Sequence, residues 1–246
     1  MEIDVTIITI VNNMQIYRGL LQSLNKQKSV IYEIRPVFNC NHEYYSARKA
    51  YNEAAESATG KYLLFLHPDI RFLDDLSLAD ILSFVRKINM FGVVGAAGAI
   101  QREKKREIIT AMVHGDNAMP LGTLVDRICE VQTVDECFFI VEREYFISHR
   151  FPETDGWHLH AVQYCLEAIK DGRKNYVVPA RVWHLSDGKS LDYHYVNQLE
   201  ELIKKEKEDF DLICTTVKAW PTKGIRAMIY RKYYVLKQYI KAKVYQ

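Results

Sequence analysis

No CxxC pair, no internal repeat, no Pro- or Ser-rich linker and no apolar run long enough to span a bilayer occur in these 246 residues. Each absence removes a class of protein. The cysteines, Cys40, Cys129, Cys137, Cys165 and Cys214, are odd in number and scattered, which excludes a disulfide framework or structural zinc and predicts a reducing compartment. Met1-Glu2-Ile3-Asp4 carries neither the charged nor the apolar region of a signal peptide, so a cytoplasmic location is expected. Only 6 prolines, with 48% hydrophobic and 26% charged residues, exclude a disordered chain, and the length suits a single α/β domain. A net charge of +2 argues against nucleic acid as a partner.

What is present centres on Gly60 to Asp69, GKYLLFLHPD. Tyr62 to Leu66 is a short, almost wholly apolar run of strand length, the pattern of a strand covered on both faces. Pro68 cannot extend a ladder, so the strand stops there and presents His67 and Asp69 on a turn. Ligands of open α/β sheets bind at such carboxyl ends. Taken alone the triplet reads as a polar turn after a core strand; its surroundings change that reading.

Asp4 to Val11 is β-branched and apolar and predicts a first buried strand that stops at Asn12-Asn13. A helix is expected from Met14 to Lys26, with Ile16, Leu20 and Leu24 on one face. Next come a strand from Glu33 to Phe38, stopped by Asn39-Cys40-Asn41-His42, and a helix from Tyr44 to Ala58 closed by Thr59-Gly60. A helix from Asp75 to Ile88 turns Leu78, Ile81, Leu82 and Val85 inward, and Gly92 to Ile100 reads as one strand whose three glycines admit either a helix or a ligand. Gln101 to Arg106 reads as a charged loop and Gly115 to Gly122 as a second loop. Val131 to Val141 is a strand interrupted by Asp135-Glu136, two carboxylates that are costly unless paired or placed at a site mouth. A helix from Trp157 to Lys170, a strand from Asn175 to Ala180 and a charged, solvated helix from Asp192 to Asp209 follow, the last with Glu200/Lys204 and Glu201/Lys205 spaced for pairs. Strands and helices alternate, so the expected fold class is α/β, a mostly parallel central sheet flanked by helices.

The order of these pieces, with the residues at the strand ends, resembles the family 2 glycosyltransferases of GT-A fold over roughly residues 4 to 190. Val5 to Val11 with Asn12-Asn13 looks like that family's first strand and nucleotide-contacting turn. Val37-Phe38-Asn39 stands where those enzymes usually carry an Asp for the uracil or ribose. Tyr51 to Tyr62, YNEAAESATGKY, is similar to the family's Arg-Asn-x-Gly-x-x-x-Ala-x-Gly-x-Tyr segment, with Asn52 and Gly60 matching. His67-Pro68-Asp69 falls at the Asp-x-Asp signature with His in place of its first Asp, and His184 in VWHLSDG stands where a late His completes the metal site.

The resemblance implies a Rossmann-like GT-A domain with C-terminal helices, a UDP- or GDP-sugar donor and a glycan or lipid-linked acceptor. Transfer with inversion would build a cell-surface polysaccharide or glycolipid, and Mn²⁺ or Mg²⁺ would neutralise charge on the departing diphosphate. It implies a nucleotide-sugar pocket of Val11, Asn12, Asn39, Arg48, Asn52, His67 and Asp69, and a metal on Asp69 and His184. The Glu-Asp position that supplies the family's base holds His160-Ala161, which leaves Asp155, His158 and His160 as base candidates and Asp135 and Glu136 as further groups facing the cleft. Trp157 is either a stacking platform for the acceptor sugar or the core anchor of its helix.

Two other readings compete. A sugar nucleotidyltransferase would open with a Gly-rich, basic phosphate loop, and Val11-Asn12-Asn13-Met14 has no glycine. A family member that lost catalysis and serves as a binding or scaffold subunit would account for the substitutions at His67 and His160-Ala161. The expected division is a GT-A domain over 1–217 and a basic amphipathic tail over 218–246. That tail has eight Lys or Arg, no Asp or Glu, and an apolar stripe of Ile225, Ile229, Tyr233, Leu236, Ile240 and Val244. It reads either as an interfacial anchor on the inner face of an anionic membrane or as a helix docked on the domain or in a homodimer interface.

Overall fold

The structure, a computed structural model, describes residues 2–186 and 193–244. The chain opens with β1 (Val5–Val11), α1 (Met14–Leu24), β2 (Tyr32–Phe38), α2 (Ala47–Glu56) and β3 (Tyr62–Leu66). Every residue of β1 and β3 is buried, as their continuous apolarity predicts. β2 and β3 flank β1 in parallel, with Ile7 opposite both Ile34 and Leu64. At Gly60 the chain runs so close to β1 that a Cβ would lie 2.5 Å from the Thr6 nitrogen, so only glycine closes this turn.

Beyond β3 come β4 (Ile70–Phe72), α3 (Ser77–Val85), β5 (Phe91–Gly95), β6 (Ala97–Arg102), β7 (Lys105–Thr110), β8 (Met112–His114), β9 (Thr123–Leu124), β10 (Cys129–Val131), β11 (Thr133–Val134) and β12 (Phe138–Glu142). The order closes with α4 (Arg143–Ser148), α5 (His160–Lys170), β13 (Lys174–Val177), β14 (Val182–His184), α6 (Tyr193–Glu206), β15 (Leu212–Cys214), β16 (Ala219–Pro221) and α7 (Ile225–Val244). The central seven-stranded sheet runs β10-β13-β5-β12-β3-β1-β2. β10 and β12 run antiparallel to their neighbours, so the sheet is mixed with the remaining strands aligned. This is the expected α/β architecture.

Several elements differ from the sequence expectation. The predicted strand Gly92–Ile100 breaks at Ala96: β5 stays in the central sheet while β6 joins a second sheet, β11-β6-β7-β9. A Cβ at Gly92 would lie 2.5 Å from the Ala168 Cβ of α5, so helix packing accounts for that glycine. The charged loop at 101–106 is a hairpin with Gln101 opposite Arg106, turning at Glu103 and Lys104 with positive φ. In α1 the buried residues are Tyr17, Leu20, Ser23 and Leu24, and Ile16 faces outward. The helix expected from Tyr44 starts at Ala47, because Ser46 caps it by accepting from the Lys49 N–H. The helix expected from Trp157 starts at His160, after Leu159 in the left-handed region.

α6 is not merely solvated. Tyr195, Val196, Leu199, Leu202 and Ile203 are buried in a second core cluster with Leu159, Val162 and Leu166 near and along α5, Trp220 of β16 and Tyr234 of α7. Its charges reach outward to other elements: Glu200 meets Arg231 at 3.0 Å and Lys205 meets Glu167 at 2.5 Å, while Lys204 pairs with Glu201 at 2.6 Å. The expected Glu200/Lys204 and Glu201/Lys205 pairs do not form, and Asp192, the expected helix start, lies outside the described residues. The division expected between 217 and 218 falls inside the β15–β16 hairpin, where Ile213 faces Trp220. Among the described residues no helix is long and apolar enough to cross a membrane, and all five cysteines are free.

Candidate active site

Two adjoining cavities open where β1 and β3 end. The smaller, about 280 Å³, is lined by Asn12, Asn13, Ile16, Tyr51, His67, Asp69, Trp157 and His160, among others. The larger, about 730 Å³, shares Asn12, His67, Asp69 and Trp157 and adds His114, Asp135, Glu136, His158, His184 and the 215–217 turn.

A small sheet, β4-β14-β8, assembles the first cluster. Asp69 immediately precedes β4, whose antiparallel pairing with β14 sets His184 opposite Ile70. Parallel pairing of β14 with β8 sets His184 beside His114. The result is that His184 Nε2 stands 3.3 Å from Asp69 Oδ2, and His184 Nδ1 stands 3.3 Å from His114 Nδ1. One ligand atom each from His67, Asp69 and His184 fits within a span of 4.8 Å. The other Asp69 oxygen, Oδ1, is buried without a hydrogen-bond partner. One carboxylate with a free buried oxygen, beside two imidazoles, is a donor set that fits a divalent cation. Burial opposes the charged form of each group, but the Asp69–His184 contact outweighs it, holding the Asp69 carboxyl low and the His184 imidazole high. At His67 burial wins and pushes its pKa down.

The interrupted strand supplies the second cluster. Leu66 faces Phe138 across β3 and β12, and the His67 N–H donates to the Cys137 carbonyl at 3.0 Å, which brings residues 135–136 beside the triplet. Asp135 is committed: it accepts from the Cys137 N–H at 3.1 Å and the Thr216 hydroxyl at 2.6 Å. Glu136 Oε1 lies 2.9 Å from His160 Nδ1 and accepts the Ala161 N–H at 3.3 Å. A carboxylate from the sheet thus occupies the start of α5, where His160-Ala161 carries none of its own. Burial pushes the Glu136 carboxyl up, yet the His160 charge and hydrogen bond prevail and hold it down at about 2.

The remaining residues singled out from the sequence fall in different places. Asn12, Trp157 and His158 line the cavities, and the His158 N–H is held by the Gln198 side chain at 3.1 Å. Val11 is buried at the end of β1, its carbonyl accepting the Asn39 N–H at 2.8 Å. Asn39, Arg48 and Asn52 line neither cavity. Asn39 braces its turn by accepting the Tyr44 N–H at 2.8 Å, and Asn52 clasps the Phe151 backbone through both ends of its amide at 2.9 and 3.1 Å. Arg48 is buried behind α5, donating to Gln163 at 3.2 Å, where the charges of Glu136 and Glu167 act on it. Asp155 is not brought to the cleft; it lines a separate hollow with Glu43, Tyr44 and Glu53. Asp187 and Gly188 of VWHLSDG lie outside the described residues. His114 is the site residue the sequence reading missed. No local spacing marks it; strand register alone brings it to His184.

A family model described as "Glycosyltransferase like family" matches residues 6–207. No curated protein matches the chain. Among solved structures, residues 1–349 of S. aureus TarS in complex with UDP-GlcNAc superpose with a TM-score of 0.59 at 15% identity, over 82% of this chain and 66% of that one. The same segment with UDP gives 0.56 at 16% identity, over 82% and 65%. A further S. aureus TarS structure gives 0.58 at 16% identity, over 85% and 40%. The chain therefore spans two thirds or less of those chains, and at this identity the likeness is one of fold.

Proposed function

The chain belongs to the glycosyltransferase-like family, and from that premise we propose that it moves a sugar from a UDP- or GDP-linked donor to a glycan or lipid-linked acceptor, with inversion. The observation that carries this reading is that Asn12, His67 and Asp69, at the ends of two adjacent parallel strands, line one cavity with Glu136, His158 and His184. Solved structures of like fold hold UDP-GlcNAc or UDP. The free cysteines support a cytoplasmic location.

In the proposed reaction the acceptor hydroxyl oxygen bonds to the anomeric carbon, the carbon–oxygen bond to the diphosphate breaks, and the hydroxyl proton passes to a base. Glu136 and His158, which both line the larger cavity, are the groups placed to take it. His160 is buried and committed to Glu136, Asp135 is committed to Thr216 and Cys137, and Asp155 is elsewhere. His160 and the Ala161 N–H hold the Glu136 carboxylate in place, which makes His160 a positioning residue. Trp157, 37% exposed and shared by both cavities, offers an open face for the acceptor sugar. Asp69 and His184, with His67 beside them, would hold Mn²⁺ or Mg²⁺, which when bound supplies positive charge to the leaving diphosphate.

Calorimetric titration with UDP, GDP and CMP, each with and without Mn²⁺, tests the donor site. One diphosphate should bind with metal dependence, and Asp69→Ala should abolish that binding. Absence of binding by all three under both conditions would reject the site and favour a scaffold subunit.

A further inference from the structure

Helix α7 has two apolar faces, and the protein covers one of them. Ala227, Arg231 and Tyr234 are buried. The Tyr234 ring meets Trp220 edge-on at 5.0 Å, and Arg231 is pinned to Glu200 at 3.0 Å and to the Pro221 carbonyl at 2.7 Å. At about 100° per residue these positions fix the pole of the helix that points into the protein. The opposite pole carries Ile225, Ile229 and Leu236, with Tyr233 beside them, exposed by 70, 58, 55 and 66%. The stripe seen in the sequence therefore points outward. Lys232 lies on the same arc, and Arg226 and Lys237 run along its flank, all three exposed. The side chains of Ile240, Lys241 and Val244 lie outside the described residues.

We propose that this outward face of α7 is an interfacial helix that seats the protein on an anionic membrane surface. Charge selects this occupant over a second copy of the chain. The charges described on and beside this face, Arg226, Lys232 and Lys237, are all positive, and α7 carries no Asp or Glu, so a symmetric contact through the face would set like charges together. An anionic headgroup layer complements the same basic rim while the stripe enters the acyl boundary. The docked face keeps the helix rigidly oriented. The β15–β16 hairpin that leads into α7 forms a wall of the larger cavity through Thr215, Thr216 and Val217. Seating α7 on a membrane thus holds that wall near the lipid, where a lipid-linked acceptor would be met. This last consequence rests on the transferase reading; the membrane contact does not.

Flotation of the full chain with vesicles of phosphatidylcholine and phosphatidylglycerol in equal parts, and of phosphatidylcholine alone, provides the test. Wild type should float with the mixed vesicles and about tenfold less with the neutral ones. The triple variant Ile225→Ser/Ile229→Ser/Leu236→Ser and the double variant Lys232→Glu/Lys237→Glu should each lose about tenfold or more of the binding to mixed vesicles. These positions are exposed, so circular dichroism should match wild type. Failure of wild type to float, or flotation of the triple variant at the wild-type level, overturns the proposal. So does a wild-type dimer by light scattering that the triple variant converts to monomer, which would assign the face to a second copy. Flotation needs no nucleotide, so its outcome stands apart from that of the donor titration.

Discussion

At Glu136 a single carboxylate faces an imidazole and a helix-start amide, and both favour its ionised form. Its folded pKa of about 2 lies below the ordinary 4.5, so its contribution to stability is fully present above the ordinary value and is lost as pH falls toward 2. That contribution is on the order of 3 kcal/mol. The Tm advantage of wild type over Glu136→Gln should therefore shrink across that window, and parallel Tm curves would show that the pairing adds nothing. With Glu136 as the base, the same variant at neutral pH should transfer sugar about 10²–10⁴-fold more slowly with its nucleotide isotherm unchanged, as expected for loss of a base and not of donor binding. At the His67–Asp69–His184 cluster two imidazoles replace the oxygen ligands that magnesium prefers. Titration should show Mn²⁺ binding about tenfold or more tightly than Mg²⁺, with His184→Ala removing that preference. Equal affinities would place magnesium on oxygen ligands alone.

Among the elements, β1 and β3 were legible because a strand buried on both faces has no choice but continuous apolarity, and the triplet after β3 announced its own turn through Pro68. α6 was not legible as a core element. Its Glu and Lys residues dominate the local pattern, while Tyr195, Leu199, Leu202 and Ile203 acquire meaning only from α5, β16 and α7, which reach them through long-range packing. The same holds for His114: its residue type was plain, but its place in the site comes from strand register, which no local spacing encodes. Trp220, fully buried where the second cluster meets the hairpin, is the element-scale test. Trp220→Ala should cost about 3–5 kcal/mol in urea unfolding and raise amide exchange in α6 and α7 before the central sheet. Uniform exchange throughout would mean that the two clusters unfold as one.

Across the whole molecule, the candidate donor site is held by a rigid sheet, whereas its outer wall belongs to the second cluster, tied in where the Thr216 hydroxyl meets Asp135. A tail cut at residue 217 removes Trp220 and with it the packing of that wall, so a shortened chain tests membrane contact only if it keeps the hairpin. The three-strand sheet β4-β14-β8 has one more consequence, and it concerns time. Asp69 and His184 meet only when β14 slots between β4 and β8, segments far apart in the chain. During synthesis the first three strands can pair as they emerge, but the proposed metal site cannot form until His184 of β14 has left the ribosome as well. The strands that carry the donor end of the cleft can therefore be in place well before the proposed metal site is complete.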